Sequence, residues 1–218
     1  TRVTTRQPIP PIPYEWIKGF ITNFRMVGSQ EAFDALPYVV ANNEQHVGVA
    51  TMANTYVRQL EGEVGQYYAI MRKGNIYYRK DGEIRRAVDP PYGVAAPPDV
   101  AWRGSTFDRV TLQMPRNFGE IVGFELYQVA EGMLAKKGDP AIVTIGDAMT
   151  TVQEGDVLLP LTDEGFVSEF QPRAMDVIPP GMRVLAVQGD NRLVGHLKMV
   201  AVNAGTNQGV APGHVFSA

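Results

Sequence analysis

The sequence contains no cysteine. That absence removes disulfides, cysteine nucleophiles, thiolate zinc centres and iron–sulfur clusters together. It leaves the compartment open, since an oxidising space permits disulfides without requiring them. No apolar run approaches the roughly 18 residues that a bilayer-spanning helix needs. Cations are not in excess either: 20 Lys and Arg stand against 23 Asp and Glu, a net charge of −3. A phosphate backbone demands concentrated positive charge, so nucleic acid is not expected as a partner. Short basic clusters, Met71-Arg72-Lys73, Arg79-Lys80 and Arg85-Arg86, are flanked by acidic or aromatic residues and read as solvated strand faces.

Histidine is scarce too. His46 sits in a polar turn, His196 in a strand-like run and His214 in Pro212-Gly213-His214-Val215. None adjoins a Gly-x-Ser-x-Gly elbow, and no two share the spacing of a zinc-binding pair, so each reads as a turn or solvent-facing residue. No catalytic residue, metal site or cofactor is expected. Asp139, Glu154, Asp156 and Glu169 are the candidates for paired carboxylates. Asp139 and Asp156 follow glycines in turns, where a short carboxylate bonding its own backbone is reason enough for Asp. The glycines at 205, 209 and 213 lack the Gly-Lys-Ser/Thr ending of a phosphate loop and open no helix, so they read as tight turns between late strands.

What is present is a β pattern behind a proline-rich approach. At 218 residues, with 44% hydrophobic and 20% charged residues, the chain can bury a core of ordinary size. Residues 1–13 (TRVTTRQPIPPIP) should be extended, because proline fixes φ and removes a donor. Trp16, Ile17 and Phe20 fall at helical spacing, interrupted by Gly19, and predict a short helix. Residues 29–36 predict a second: Ser29 caps it, Glu31 suits its first turn, Phe33 and Leu36 share a face, and Pro37 ends it. From Tyr38 the runs YVVA, VGVATMANTYV, YYAIM and NIYYR are β-branched or aromatic, and Lys80-Asp81-Gly82 signals a hairpin. Residues 87–118, with two Pro-Pro pairs, predict a long irregular excursion in which FDRVTLQM is a strand candidate. Residues 119–135, AIVTIG, DVLLPL, RVLAVQG and VGHLKMVAVN then follow at regular spacing.

Together these predict a mainly β protein, barrel- or sandwich-like, with a short helical, proline-rich N-terminal segment. The division expected on composition is an arm over 1–37 and a β-rich domain over 38–218, in one lobe or two. Tyr67, Tyr68, Tyr77 and Tyr78 are expected on two neighbouring strands, as core with cross-strand stacking or as interface anchors. Pro10, Pro11, Trp16 and Phe20 form one candidate contact region and Trp102 another, because an aromatic on a proline-stiffened arm attaches cheaply to a partner. The alternative for Trp16 and Phe20 is that they cap the open edge of the β body. The chain begins at Thr1 with neither an initiator Met nor a basic-then-apolar leader, as expected of a processed protein or a piece of a longer one.

A family resemblance runs through these motifs in order. Its pieces are Leu36-Pro37-Tyr38-Val39-Val40, Ala53-Asn54-Thr55-Tyr56-Val57-Arg58, residues 68–77 (YAIMRKGNIY), residues 119–125 (GEIVGFE), Gly138-Asp139-Pro140-Ala141, residues 155–160 (GDVLLP), Val202-Asn203-Ala204-Gly205 and residues 209–215 (GVAPGHV). The chain resembles the C-terminal region of LysM-domain proteins associated with the type IV pilus secretin, a region similar to the C-terminal domain of a flagellar assembly protein. The resemblance implies a periplasmic, non-enzymatic adaptor that associates with an outer-membrane secretin oligomer, with copies arranged on the ring. It implies peptidoglycan binding through a LysM module, and none lies within these residues. A second departure is the stretch from Ala87 to Met114, longer and richer in proline than the family's short turn. Two other readings remain: a peptidoglycan- or glycan-binding envelope protein, and a structural β domain of flagellar or other surface-organelle assembly.

Overall fold

A computed structural model of the chain describes residues 10–13, 16, 23–42, 53–87, 119–161, 169–187 and 198–216. Its elements are β1 (Ile12–Pro13), β2 (Phe24–Val27), α1 (Gln30–Asp34), β3 (Tyr38–Asn42), β4 (Asn54–Arg58), β5 (Tyr67–Lys80), β6 (Glu83–Ala87), β7 (Glu120–Lys136), β8 (Ala141–Ala148), β9 (Val157–Pro160), β10 (Glu169–Phe170), β11 (Val184–Val187) and β12 (Val200–Val202), followed by a 3-10 turn at Thr206–Gln208. The protein is mainly β and contains a closed six-stranded barrel.

The chain divides into two compact units: Asn23–Thr162, and Thr1–Thr22 with Asp163–Ala218. In this division residues 23–37 group with the residues that follow them, whereas composition groups them with the arm. β2 pairs antiparallel with β7, and α1 buries Phe33 in the core of the first unit, so residues 23–37 belong with the barrel. A shift in local composition records propensity, whereas membership of a unit is decided by pairing with a strand a hundred residues away.

In the first unit the barrel closes in the order β5, β7, β8, β4, β3, β9 and back to β5, every pairing antiparallel. Closure removes the unpaired edges that would template aggregation. Val57 of β4, Val143 and Ile145 of β8, Leu134 of β7 and Leu158 of β9 meet Ile70 of β5 in the main core. β5 and β7 are long enough to run on past the barrel, where they form the centre of a four-stranded sheet with β2 and β6 at its edges. A second apolar cluster packs Ala69 and Met71 of β5, Val157 of β9 and Phe124 of β7 beneath α1, whose Phe33 ring stacks on Phe124 at 4.6 Å. β5 and β9 are thus buried on both faces, and their sequences YAIM and VLL read accordingly as continuous apolar runs.

β5 joins the two runs that the sequence suggested were separate strands, YYAIM and NIYYR. A register shift between Lys73 and Ile76 marks a bulge at Gly74 and Asn75. One extra residue reverses the alternation, so Met71 and Ile76 reach the same apolar cluster despite their odd spacing. The four tyrosines consequently lie on one strand: Tyr68 and Tyr77 are buried, Tyr67 is exposed and Tyr78 half-buried. Other local expectations hold. The Ser29 hydroxyl accepts from the Ala32 N–H at the start of α1, and Asp81-Gly82 turns β5 into β6 with positive φ at both residues.

The second unit is built from short pieces. β1 pairs antiparallel with β10, β11 with β12, and a parallel bridge joins Arg173 to His214. Pro179-Pro180-Gly181-Met182 forms a turn closed by the Met182 N–H on the Pro179 carbonyl, with Gly181 at φ 74°, the conformation a type II turn requires at its third position. Ala186 is the one buried hydrophobic residue of this unit among the described residues. The candidate strand FDRVTLQM and nearly all of the 87–118 excursion lie outside the described residues.

Candidate functional site

The charged groups of the barrel unit are largely spent on one another. Arg72, on the barrel-facing side of β5, donates through Nε and Nη2 to the two carboxylate oxygens of Asp156, each at 2.8 Å, and through Nη2 to the Thr151 carbonyl at 2.6 Å. Asp156 also accepts from the Gln153 N–H at 2.7 Å, the local turn bond expected of it. Its side chain is only 3% exposed. Burial pushes the carboxyl above the ordinary aspartate value, partly opposed by the Arg72 fork and the Gln153 amide. The reading of Met71-Arg72-Lys73 as a solvated face is thereby corrected for its first two members: Met71 is core and Arg72 holds a buried carboxylate. Arg79 and Arg85 do lie at the surface, in exposed pairs with Glu120 and Glu83.

Further along the same face of the ribbon, Glu125 Oε2 accepts from the Tyr77 hydroxyl at 2.7 Å and from Asn75 Nδ2 at 2.9 Å. Burial, together with the Glu125 carboxylate, holds the Tyr77 hydroxyl well above the usual phenol range. Gly74 leaves room for this group: a Cβ there would stand 3.3 Å from Glu125 Oε1 and 3.5 Å from the Tyr127 ring. Asp139 forms an exposed pair with Arg58, whose hydrogen bonds hold its carboxyl below the ordinary value. Glu154 is exposed in the turn before β9, and the Glu169 side chain lies outside the described residues. Asp139 and Asp156, the two acids whose turn roles the sequence suggested, therefore each face an arginine rather than each other. Among the described residues no cluster of three His, Asp or Glu is placed to hold a metal ion.

The second unit carries an open cleft of about 740 Å³. It is lined by residues 173–177 with Pro179 and Pro180 from one segment, and by Gln208, Gly209 and His214 from another. The parallel bridge sets Arg173 beside His214, through the Arg173 N–H on the Gly213 carbonyl and the Val215 N–H on the Arg173 carbonyl. Gly213 cannot be replaced freely: φ is 90°, and a Cβ would stand 2.5 Å from the Gln171 carbonyl oxygen. Val177 in the cleft lining is 73% exposed, and the adjacent Ile178 is 59% exposed.

Of the candidate contact residues, Pro10 and Pro11 are exposed ahead of β1, and Trp16 is 75% exposed. Phe20 and Trp102 lie outside the described residues, as do His46 and His196. His214 is a turn residue, as expected, but it lines the cleft. The cleft itself was missed by sequence reasoning. Its one signal was the glycine spacing at 205, 209 and 213, which marks the turns on one wall and says nothing of the other. The chain matches no family model, no curated protein and no solved structure. Among the described residues no helix is long and apolar enough to cross a membrane.

Proposed function

We propose that this chain is a non-catalytic periplasmic adaptor that binds and supports an outer-membrane secretin ring of a type IV pilus machinery. Cell-wall anchoring is supplied by a LysM module outside this segment. The observation that carries the reading is the apolar surface of the second unit. Trp16, Val177 and Ile178 stand more than half exposed on a unit with little core of its own among the described residues. Large exposed side chains on such a unit favour burial against another protein. The ordered resemblance from Leu36 to Val215 supplies the partner class and the compartment. Many copies on one ring would make modest single contacts sufficient, because each later contact forms at high effective concentration.

The test is affinity capture of the full-length protein from gently solubilised envelopes, with the eluate identified by mass spectrometry and imaged by electron microscopy. A secretin ring decorated at regular intervals is expected, with decoration reduced by Trp16→Ala. Recovery of wall fragments or flagellar basal components without secretin overturns the reading in favour of a glycan-binding or flagellar role.

A further inference from the structure

The cleft of the second unit has a definite chemistry. Arg173 makes its hydrogen bonds through the backbone, and among the described residues its guanidinium has no ion-pair partner. His214 Nδ1 accepts from the Ala211 N–H at 3.2 Å, so in the neutral ring the proton sits on Nε2, where it is free to donate. Gln208 is committed in the same sense. Its Oε1 accepts from the Gly205 N–H at 2.9 Å, which leaves the amide nitrogen as the donor. Three donors thus line one cleft, and one of them carries a permanent charge. Met175, Val177 and Pro179 add apolar surface, and Asp176 supplies a single acceptor carboxylate.

We propose that this cleft binds an extended peptide segment of a partner protein, one that carries a carboxylate next to an apolar side chain. The carboxylate pairs with Arg173 and takes further hydrogen bonds from His214 Nε2 and the Gln208 amide, and the apolar side chain lies on Val177 and Pro179. Asp176 accepts a backbone N–H from the same segment. An acceptor carboxylate in the lining calls for a donor on the ligand, which a peptide backbone N–H supplies and a simple anion such as chloride or sulfate does not. The volume lies within the range of about 300–1,000 Å³ typical of ligand sites, and the open side suits a chain passing through. The proposal deepens the adaptor reading by naming the chemistry of the contacted segment, yet it can be tested without a secretin.

The probe is a blocked peptide of alternating valine and glutamate, titrated into the isotope-labelled full chain and followed by amide chemical shifts. Shifts confined to residues 173–180 and 205–215 are expected. Arg173→Gln should weaken binding about tenfold, the size of one charge-assisted pair. Its fold should persist, because the bridge uses the Arg173 backbone alone. A peptide with glutamine in place of glutamate should bind the parent about tenfold more weakly, yet bind Arg173→Gln and the parent equally. Val177→Asn should weaken both peptides alike. Binding that ignores Arg173, or shifts centred elsewhere, overturns the proposal. Capture of a secretin ring undiminished by Arg173→Gln together with Val177→Asn also overturns it while leaving the adaptor reading intact. Peptide binding as described, without any secretin recovered, sustains the cleft and removes the adaptor reading.

Discussion

Replacing Arg72 by methionine tests whether the barrel depends on a satisfied buried charge. Asp156 has three donors, two from Arg72 and one from the Gln153 backbone. Arg72→Met keeps much of the side-chain length and apolar bulk while removing two of them, and it strips the Thr151 carbonyl of its donor as well. Breaking a buried pair from one side costs about 3–5 kcal/mol, because the remaining charge stays buried without compensation. Arg72 retains some solvent access, with one fifth of its side chain exposed, which places the expectation near the lower end, at about 3 kcal/mol. In urea this lowers the unfolding midpoint by about 1–3 M, for slopes of about 1–3 kcal/mol per molar. Far-UV circular dichroism reads it directly. The double variant Arg72→Met with Asp156→Leu should be more stable than Arg72→Met alone, because it removes the orphaned charge instead of leaving it. The pH dependence has a definite sign. A carboxyl whose folded value is raised contributes stability that is complete below its unfolded value of about 3.9 and is lost as pH rises through the folded value. Without Arg72 the folded value of Asp156 climbs further, so the gap between variant and parent should narrow on acidification from neutral pH towards 4. A loss under about 1 kcal/mol for Arg72→Met, or a double variant worse than the single, would refute the reasoning.

Three further expectations follow from particular contacts. Gly132→Ala should destabilise by about 1–3 kcal/mol through overpacking, since its Cβ would stand 2.6 Å from Val143 Cγ1 and 3.4 Å from Ile70 Cδ1 inside the barrel. Gly146→Ala, whose Cβ would meet nothing nearer than the Glu131 carbonyl at 3.7 Å, is the control, expected within about 0.5 kcal/mol by the same urea titration. Ser29→Ala removes the bond to the Ala32 N–H and should cost about 1 kcal/mol, with faster amide exchange confined to α1. Burial raises both Tyr68, beside Glu63, and Tyr77, beside Glu125. Their folded values exceed the unfolded value of about 10, so stability is complete below that pH and is lost above it. A phenolate absorbance titration should therefore show a late-ionising fraction that Tyr68→Phe and Tyr77→Phe each reduce. A late fraction that neither substitution changes would refute the burial argument.

The features legible in the sequence were those whose cause is local. The Asp81-Gly82 turn declares itself because both residues must take positive φ, and Ser29 because a cap bonds three residues on. β7 was legible as one strand, although its pattern is not regular. Phe124 and Leu126 reach the cluster under α1, whereas Ala130 and Leu134 reach the barrel interior, and the register shift after Ile70 and Ala130 makes the exchange. The bulge at Gly74 had the opposite effect on reading β5. Reversed alternation around Arg72-Lys73-Gly74 resembles a polar turn, so one strand of 14 residues looked like two and its tyrosines like cross-strand neighbours. Arg72 was misread for a different reason. Its neighbour Lys73 is of the same charge, but the two side chains leave opposite faces of a strand, and only the fold shows that one face carries Asp156. The cleft depends on a parallel bridge between residues 41 positions apart, from Arg173 to His214, and no local pattern encodes that.

The supporting role proposed above makes a mechanical demand, and the two long strands bear on it. β5 and β7 are shared between the barrel and the flanking sheet, paired continuously apart from bulges from Tyr67–Met133 to Arg79–Glu120. Backbone hydrogen bonds are each worth only about 0.5–1.5 kcal/mol net. What matters under load is how many must fail at once. Force applied along the ribbon axis meets the whole ladder in shear, while force across it would open the bonds one after another. The bulges pin the register, because a slip by one residue would drive the Ile76 and Phe124 faces out of the apolar cluster under α1. At the barrel end, the Arg72–Asp156 pair ties β5 to the turn before β9, so β5 cannot slide without breaking a buried ion pair. The pair whose one-sided loss destabilises the barrel in solution would therefore also act as the catch that resists sliding under load, which is a reason for the barrel to retain a buried charge that apolar packing can replace elsewhere at little cost in stability.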